Sequence, residues 1–217
     1  HLAPALGSVD SDYKVVRYAG LQDLNSPWRG EPRPELEEAW DNVTWEVGEI
    51  PVSKEEALRS GLLLDPNTLV RFPEEYGGQI YTSVEWNHHL HCLNMIRKFI
   101  RFDYYKDKEH SFSFPPEETI NHLDHCVDML RQHVMCTADQ GLIFSHWVEG
   151  YDHKHVDFNT QHKCRNFRSA LEWAMERAKH PKMEELVRHP GAVDLKDYPE
   201  NLTRHGGGYE GNFYYQP

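Results

Sequence analysis

Hydrophobic and polar positions follow no clear period over the first ~50 residues. Pro27, Pro32 and Pro34 interrupt them, which predicts an irregular, extended approach with one short helix at Pro34 to Trp40. Ser53 followed by Glu56 is a capping-box pattern and opens a second short helix, Glu55 to Leu62, ending near Gly61. The alternating run Gln79 to Val84, after the turn pair Gly77-Gly78, predicts a strand. A helical period then takes over. Thr82-x-x-Glu85 reads as a capping box before a helix to about Tyr104, and Pro115-Pro116-Glu117-Glu118 opens another to about Cys136, with acids favouring its start. Phe167 to about Lys179 predicts a last helix before Pro181. The expected fold is mainly α: a central antiparallel helix pair with additional short helices, minor β and irregular terminal segments. One domain is expected over residues 1–217, with a core at about 35–180, an approach at 1–34 and a tail at 181–217.

Composition narrows the function classes. Lys plus Arg is 23 against 35 Asp plus Glu, giving 23 − 35 = −12, and no basic tract interrupts the acid, so nucleic acid is excluded as a partner. No apolar run approaches the ~18 to 20 residues of a bilayer span; Leu62-Leu63-Leu64 stops at Asp65, so the chain reads as soluble. It begins at His1, which suggests that a leading segment has been removed. Four cysteines (Cys92, Cys126, Cys136 and Cys164) and two sequons, Asn42-Val43-Thr44 and Asn201-Leu202-Thr203, point to an oxidising lumen with glycan attachment. The unusual count is His, at 15.

Their arrangement carries the chemistry. His88-His89-Leu90-His91-Cys92-Leu93-Asn94-Met95-Ile96-Arg97-Lys98 aligns without gaps with His122-Leu123-Asp124-His125-Cys126-Val127-Asp128-Met129-Leu130-Arg131-Gln132, 34 residues later. Both His, the Cys, the Met and the Arg are identical. At about 100° per residue, His88, His91, Cys92 and Met95 share one arc and His89 lies outside it. The second copy places His122, His125, Cys126 and Met129 alike, and its stripe continues to His133 and Cys136. On facing helices these stripes can gather four imidazoles around one or two metal ions. Imidazole suits copper, zinc, iron and nickel. Met95 and Met129 read as core, and Arg97 and Arg131, on the far side, as solvent-facing or paired with acids. Cys92 and Cys126 are either thiolate ligands or, in an oxidising compartment, disulfide partners of one another or of Cys136 and Cys164.

The doubled His-x-x-His-Cys motif resembles the fungal UstYa-like proteins of secondary-metabolite pathways, typified by the ustiloxin oxidases. The resemblance rests on His88-x-x-His91-Cys92-Leu93, His122-x-x-His125-Cys126-x-Asp128-x-Leu130-Arg131-Gln132, Met135-Cys136-x-x-Asp139, Asp157-Phe158, His162-x-Cys164-Arg165 and Trp173. It implies a copper-dependent oxidative enzyme acting with dioxygen on a small-molecule or peptide natural product, by cyclisation, hydroxylation, desaturation or halogenation. It also implies His88, His91, His122 and His125 as metal ligands. His162 falls in the family's third block and stands as extra ligand, acid/base residue or structural partner of the Cys164 region. Family members typically carry a membrane anchor upstream, which implies a secretory-lumen enzyme tethered through a segment preceding His1. Nothing in the sequence sets the oligomeric state.

Three other chemistries fit parts of the pattern. A zinc hydrolase or lyase can use the same histidines, although the chain lacks His-Glu-x-x-His, and Asp124 and Glu118 are poorly placed as general bases. A non-catalytic scaffold would use metal or disulfides only to tie helices together. A copper brace through His1 requires that residue to be the natural amino terminus.

Overall fold

A computed structural model describes residues 4–10, 12–20, 26–62 and 65–195. In chain order the regular elements are β1 (Tyr13–Arg17), α1 (Pro34–Asp41), β2 (Ile50–Val52), α2 (Lys54–Arg59), β3 (Ile80–Thr82), α3 (Glu85–Ile100), α4 (Phe102–Tyr105), α5 (Pro116–Thr137), β4 (Phe144–His146), β5 (His155–Asp157), β6 (Gln161–Arg165) and α6 (Phe167–Arg177). Among the described residues the fold is mainly α with three small two-stranded antiparallel sheets, β1-β6, β2-β3 and β4-β5. Among the described residues no helix is long and apolar enough to cross a membrane. The expectations for His1, for Asn201 and for the end of the tail lie outside the described residues.

The chain forms two compact units. Among the described residues, one comprises 4–9, 44–62, 65–88 and 170–195, and the other 10, 12–20, 26–43 and 89–169. The first unit closes around Val47, Ile50, Val52, Ala57, Ile80, Trp173 and Ala174. The two-residue period of β2 and β3 turns Ile50, Val52 and Ile80 into this core, in a register that pairs Ile50 with Thr82 and Val52 with Ile80. The capping box of α2 forms as its spacing predicts: Glu56 N–H donates to Ser53 Oγ at 3.1 Å, and Ser53 N–H donates to Glu56 Oε2 at 2.7 Å. The box expected at Thr82 does not form. Thr82 belongs to β3, and its hydroxyl donates to the Ile50 carbonyl at 2.7 Å, because sheet pairing competes for the same side chain.

The second unit is built on α3 and α5. Its core is Cys92, Met95, Tyr105, Phe112, Leu123 and Cys126, flanked by Ile96, Phe99, Met129 and Leu130, so both motif methionines pack as core. The single helix expected from Glu85 to Tyr104 instead ends at Ile100. Arg101 leaves helical geometry at φ −116° and ψ 40°, and α4 restarts behind it. The break buries Tyr105, whose hydroxyl donates to Glu37 Oε1 at 2.5 Å and accepts from Arg97 at 2.9 Å. Arg97 also pairs with Glu37 at 2.9 Å, and Lys98 with Glu109 at 2.6 Å. Burial pushes both glutamates upward, but the bonds from Arg97 and Tyr105 to Glu37, and from Lys98 to Glu109, outweigh it and hold both below the ordinary carboxylate value. Burial and Glu37 push Tyr105 up to about 12. These contacts fix the far end of α3 to α1 and to the 109–112 turn.

The irregular approach expected at 1–34 contains a strand that sequence pattern did not show. β1 pairs with β6, matching Val16 to His162 and Lys14 to Cys164. All five of its side chains are exposed, so alternation leaves no apolar signature. Gly20 closes the approach, since a Cβ there would lie 2.3 Å from Phe158 Cβ.

Candidate metal centre

Helix α3 carries the first motif. Cys92 and Met95 are buried, while His88 and His91, one turn apart, are half-buried. Helix α5 repeats the arrangement with Cys126 buried, His122 half-buried and His125 exposed. The repeat is structural as well as sequential: Arg97 Nε donates to Asn94 Oδ1 at 2.8 Å, and its counterpart Arg131 Nε donates to Asp128 Oδ1 at 2.8 Å. Each motif braces its own helix by the same i, i+3 bond.

The two helices meet through the cysteines. Cys92 and Cys126 are fully buried in one cluster with their thiols in hydrogen-bond contact. Burial raises the Cys126 thiol, and the Cys92 contact offsets it only in part. Among the described residues, none of the disulfides expected from the cysteine count is found at Cys92, Cys126, Cys136 or Cys164. Beside the cysteine contact, the rings of His91 and His122 lie 6.0 Å apart. A second cross-helix pair, His89 and His133, lies 4.4 Å apart. Sequence placed His133 on the α5 stripe but left His89 off its own, since a single-helix wheel does not reveal a crossing partner.

Among the described residues, no group of three or more His, Cys, Asp or Glu side chains is already drawn together as a metal cage. Of the four motif histidines the structure brings two together, His91 and His122, while His88 and His125 each lie one turn away on the same helices; imidazoles are the donors that copper, zinc, iron and nickel take.

His162 stands elsewhere, on β6. Its Nδ1 lies 2.6 Å from Asp139 Oδ2 and its Nε2 3.0 Å from Thr160 Oγ1, while Tyr18 stacks on the ring at 3.6 Å between centroids. Both ring nitrogens are therefore engaged, and His162 is not gathered with the motif histidines. Asp139 reaches it because α5 ends at Ala138, which adopts left-handed φ 38° and ψ 60°. The His162 bond holds the Asp139 carboxyl below its usual value. Burial, then Cys164 and Asp139, raise the Tyr18 phenol. Sequence reasoning missed Tyr18 and Thr160, which no motif marks.

The chain matches the family model described as "Mycotoxin biosynthesis protein UstYa" over residues 2–177. It is 31% identical over 173 residues to UstYa family oxidase phomYc of Diaporthe leptostromiformis, covering 78% of this chain and 67% of that protein. Two relatives in Talaromyces islandicus bear other names. Transacylase cctO is 28% identical over 79% of this chain and 58% of its own length, and chlorinase cctP2 is 27% identical over 66% and 41%. The chain thus spans between about two fifths and two thirds of these relatives. No solved structure matches it.

Proposed function

This chain belongs to the UstYa family of mycotoxin biosynthesis proteins, and from that premise we propose that it is the catalytic unit of a copper-dependent oxidative enzyme of fungal secondary metabolism. His88, His91, His122 and His125 would hold the metal. The observation that carries the reading is the doubled motif meeting across two helices, with His91 and His122 6.0 Å apart beside the buried Cys92–Cys126 contact. When bound, copper supplies one-electron redox chemistry and an open position for dioxygen. The remaining work belongs to the chain. Cys92 and Cys126 hold α3 and α5 at close approach, and the Glu37–Arg97–Tyr105 and Lys98–Glu109 contacts fix the far end of α3. His162, engaged at both nitrogens, fastens β6 to the turn after α5 and acts as a positioning residue.

The substrate class is a small-molecule or peptide natural product, oxidised, cyclised or halogenated at carbon or phenolic oxygen. The names oxidase and chlorinase among the relatives support this range. The setting is the secretory lumen, with tethering through sequence outside this chain; the exposed Asn42 is a reachable glycan acceptor there. The test is elemental analysis of protein reconstituted with copper and desalted. Wild type should retain at least one copper per chain, and His122→Ala should lose one. Equal copper in both proteins, or a copper-free preparation that oxidises substrate, would overturn the reading. Zinc-dependent activity under nitrogen would replace it with a hydrolytic or acyl-transfer one.

A further inference from the structure

A second pair of imidazoles crosses the same two helices, and we infer that His89 and His133 form a separate mononuclear site for an imidazole-seeking transition ion, copper(II) foremost. Their ring centres are 4.4 Å apart, tilted by 45°. Two imidazoles on one ion, with metal–nitrogen bonds of about 2.0 Å, place their ring centres about 4 to 6 Å apart. The observed 4.4 Å falls within that range. His89 is half-buried and His133 exposed, which leaves solvent-facing positions for water to complete the ion's coordination.

This pair cannot share an ion with the His91–His122 pair. On α5, His122 and His133 are 133 − 122 = 11 residues apart, about 16 Å along the axis at 1.5 Å per residue. On α3, His89 and His91 are two positions apart and project about 160° from one another around the axis. On α5 the two pairs therefore flank Cys126, one turn before it and about two turns after it, while on α3 both histidines precede Cys92 and point to opposite sides. With its ligands separated in this way, the second ion would act as an independent centre rather than as half of a coupled pair. The charge of −12 favours cations at any open imidazole site on this chain.

The inference takes the identity of its metal from the proposed function and is tested so that the two can fail separately. Copper per chain is measured after desalting in wild type, His122→Ala, His89→Ala, His133→Ala and the His89→Ala/His122→Ala double variant, each checked for helix content by circular dichroism. Two coppers in wild type, one in each single variant and none in the double are expected. Diethyl pyrocarbonate labelling read by mass spectrometry gives a second measure that needs no alanine at the new site. In His122→Ala, copper should cut labelling of His89 and His133 at least fivefold. One copper in wild type, lost in His122→Ala and kept in His89→Ala, with unaltered labelling of His89 and His133, would overturn the second site while sparing the first. Copper lost in His89→Ala but retained in His122→Ala would instead spare this site and overturn the four-histidine assignment. One copper lost equally in every single variant would make all these histidines ligands of one ion and overturn the separate site.

Discussion

Replacing His162 by alanine separates a fastening role from a chemical one. The imidazole bonds Thr160 at 3.0 Å and Asp139 at 2.6 Å and stacks on Tyr18. Thr160 is only 6% exposed, so losing its partner costs about 1 kcal/mol. The lost Tyr18 stack adds roughly 0.5 to 1.5 kcal/mol. The half-exposed Asp139 bond, screened by solvent, acts in the same direction. The total is about 2 kcal/mol, which lowers Tm by about 4 to 8 °C for a chain of this size. Thermal and urea unfolding of the metal-free protein at pH 7 read this directly, and copper content at 20 °C should match wild type. The Asp139 carboxyl is held below its unfolded value, so its contribution is present above the ordinary carboxylate range and lost as pH falls through the folded value. The gap between wild type and variant should therefore narrow below about pH 4. Unchanged unfolding together with abolished turnover of copper-loaded protein would refute the fastening account and return His162 to acid/base chemistry.

Three further outcomes follow from the same contacts. Glu109→Ala strands the Lys98 ammonium, whose side chain is 12% exposed, and should cost about 3 to 5 kcal/mol in urea unfolding, whereas the Lys98→Met/Glu109→Leu double variant should recover most of it. Because Glu37 and Glu109 are both held low, wild-type stability should be constant from neutral pH to the unfolded carboxylate range and then decline on further acidification; a midpoint that rises on going to pH 3 would contradict the assignment. Gly20→Ala drives a Cβ to 2.3 Å from Phe158 Cβ and should destabilise by about 1 to 3 kcal/mol, measured by the shift in urea midpoint.

Much of the helical content was legible because its signals are local. Ser53 and Glu56 cap α2 as their spacing predicts, Pro115 and Pro116 open α5, and α1 and α6 begin where proline and aromatic patterning place them. The doubled motif was legible too, because a 3.6-residue period puts His88 on one face with His91 and Cys92 whatever surrounds the helix. The strands were harder. β1 is exposed along its length, and Thr82 serves a sheet pairing that its capping spacing cannot announce. The break at Arg101 has no proline or glycine to mark it; burial of Tyr105 against Glu37 and Arg97 accounts for it.

The residues at the site divide in the same way. That His88, His91, His122 and His125 lie on two helix stripes follows from spacing alone, as do the burial of Met95 and the kinship with the UstYa family. Which imidazoles meet across the helices does not, because the crossing depends on how Cys92 and Cys126 pack. That packing brings His91 to His122 and His89 to His133, and leaves the thiols unbridged. It was likewise tertiary contact that drew Asp139 and Tyr18 from two distant segments to His162 and its near neighbour Thr160. Local periodicity constrains each helix face, but contacts between faces are long-range, and only the folded chain sets them.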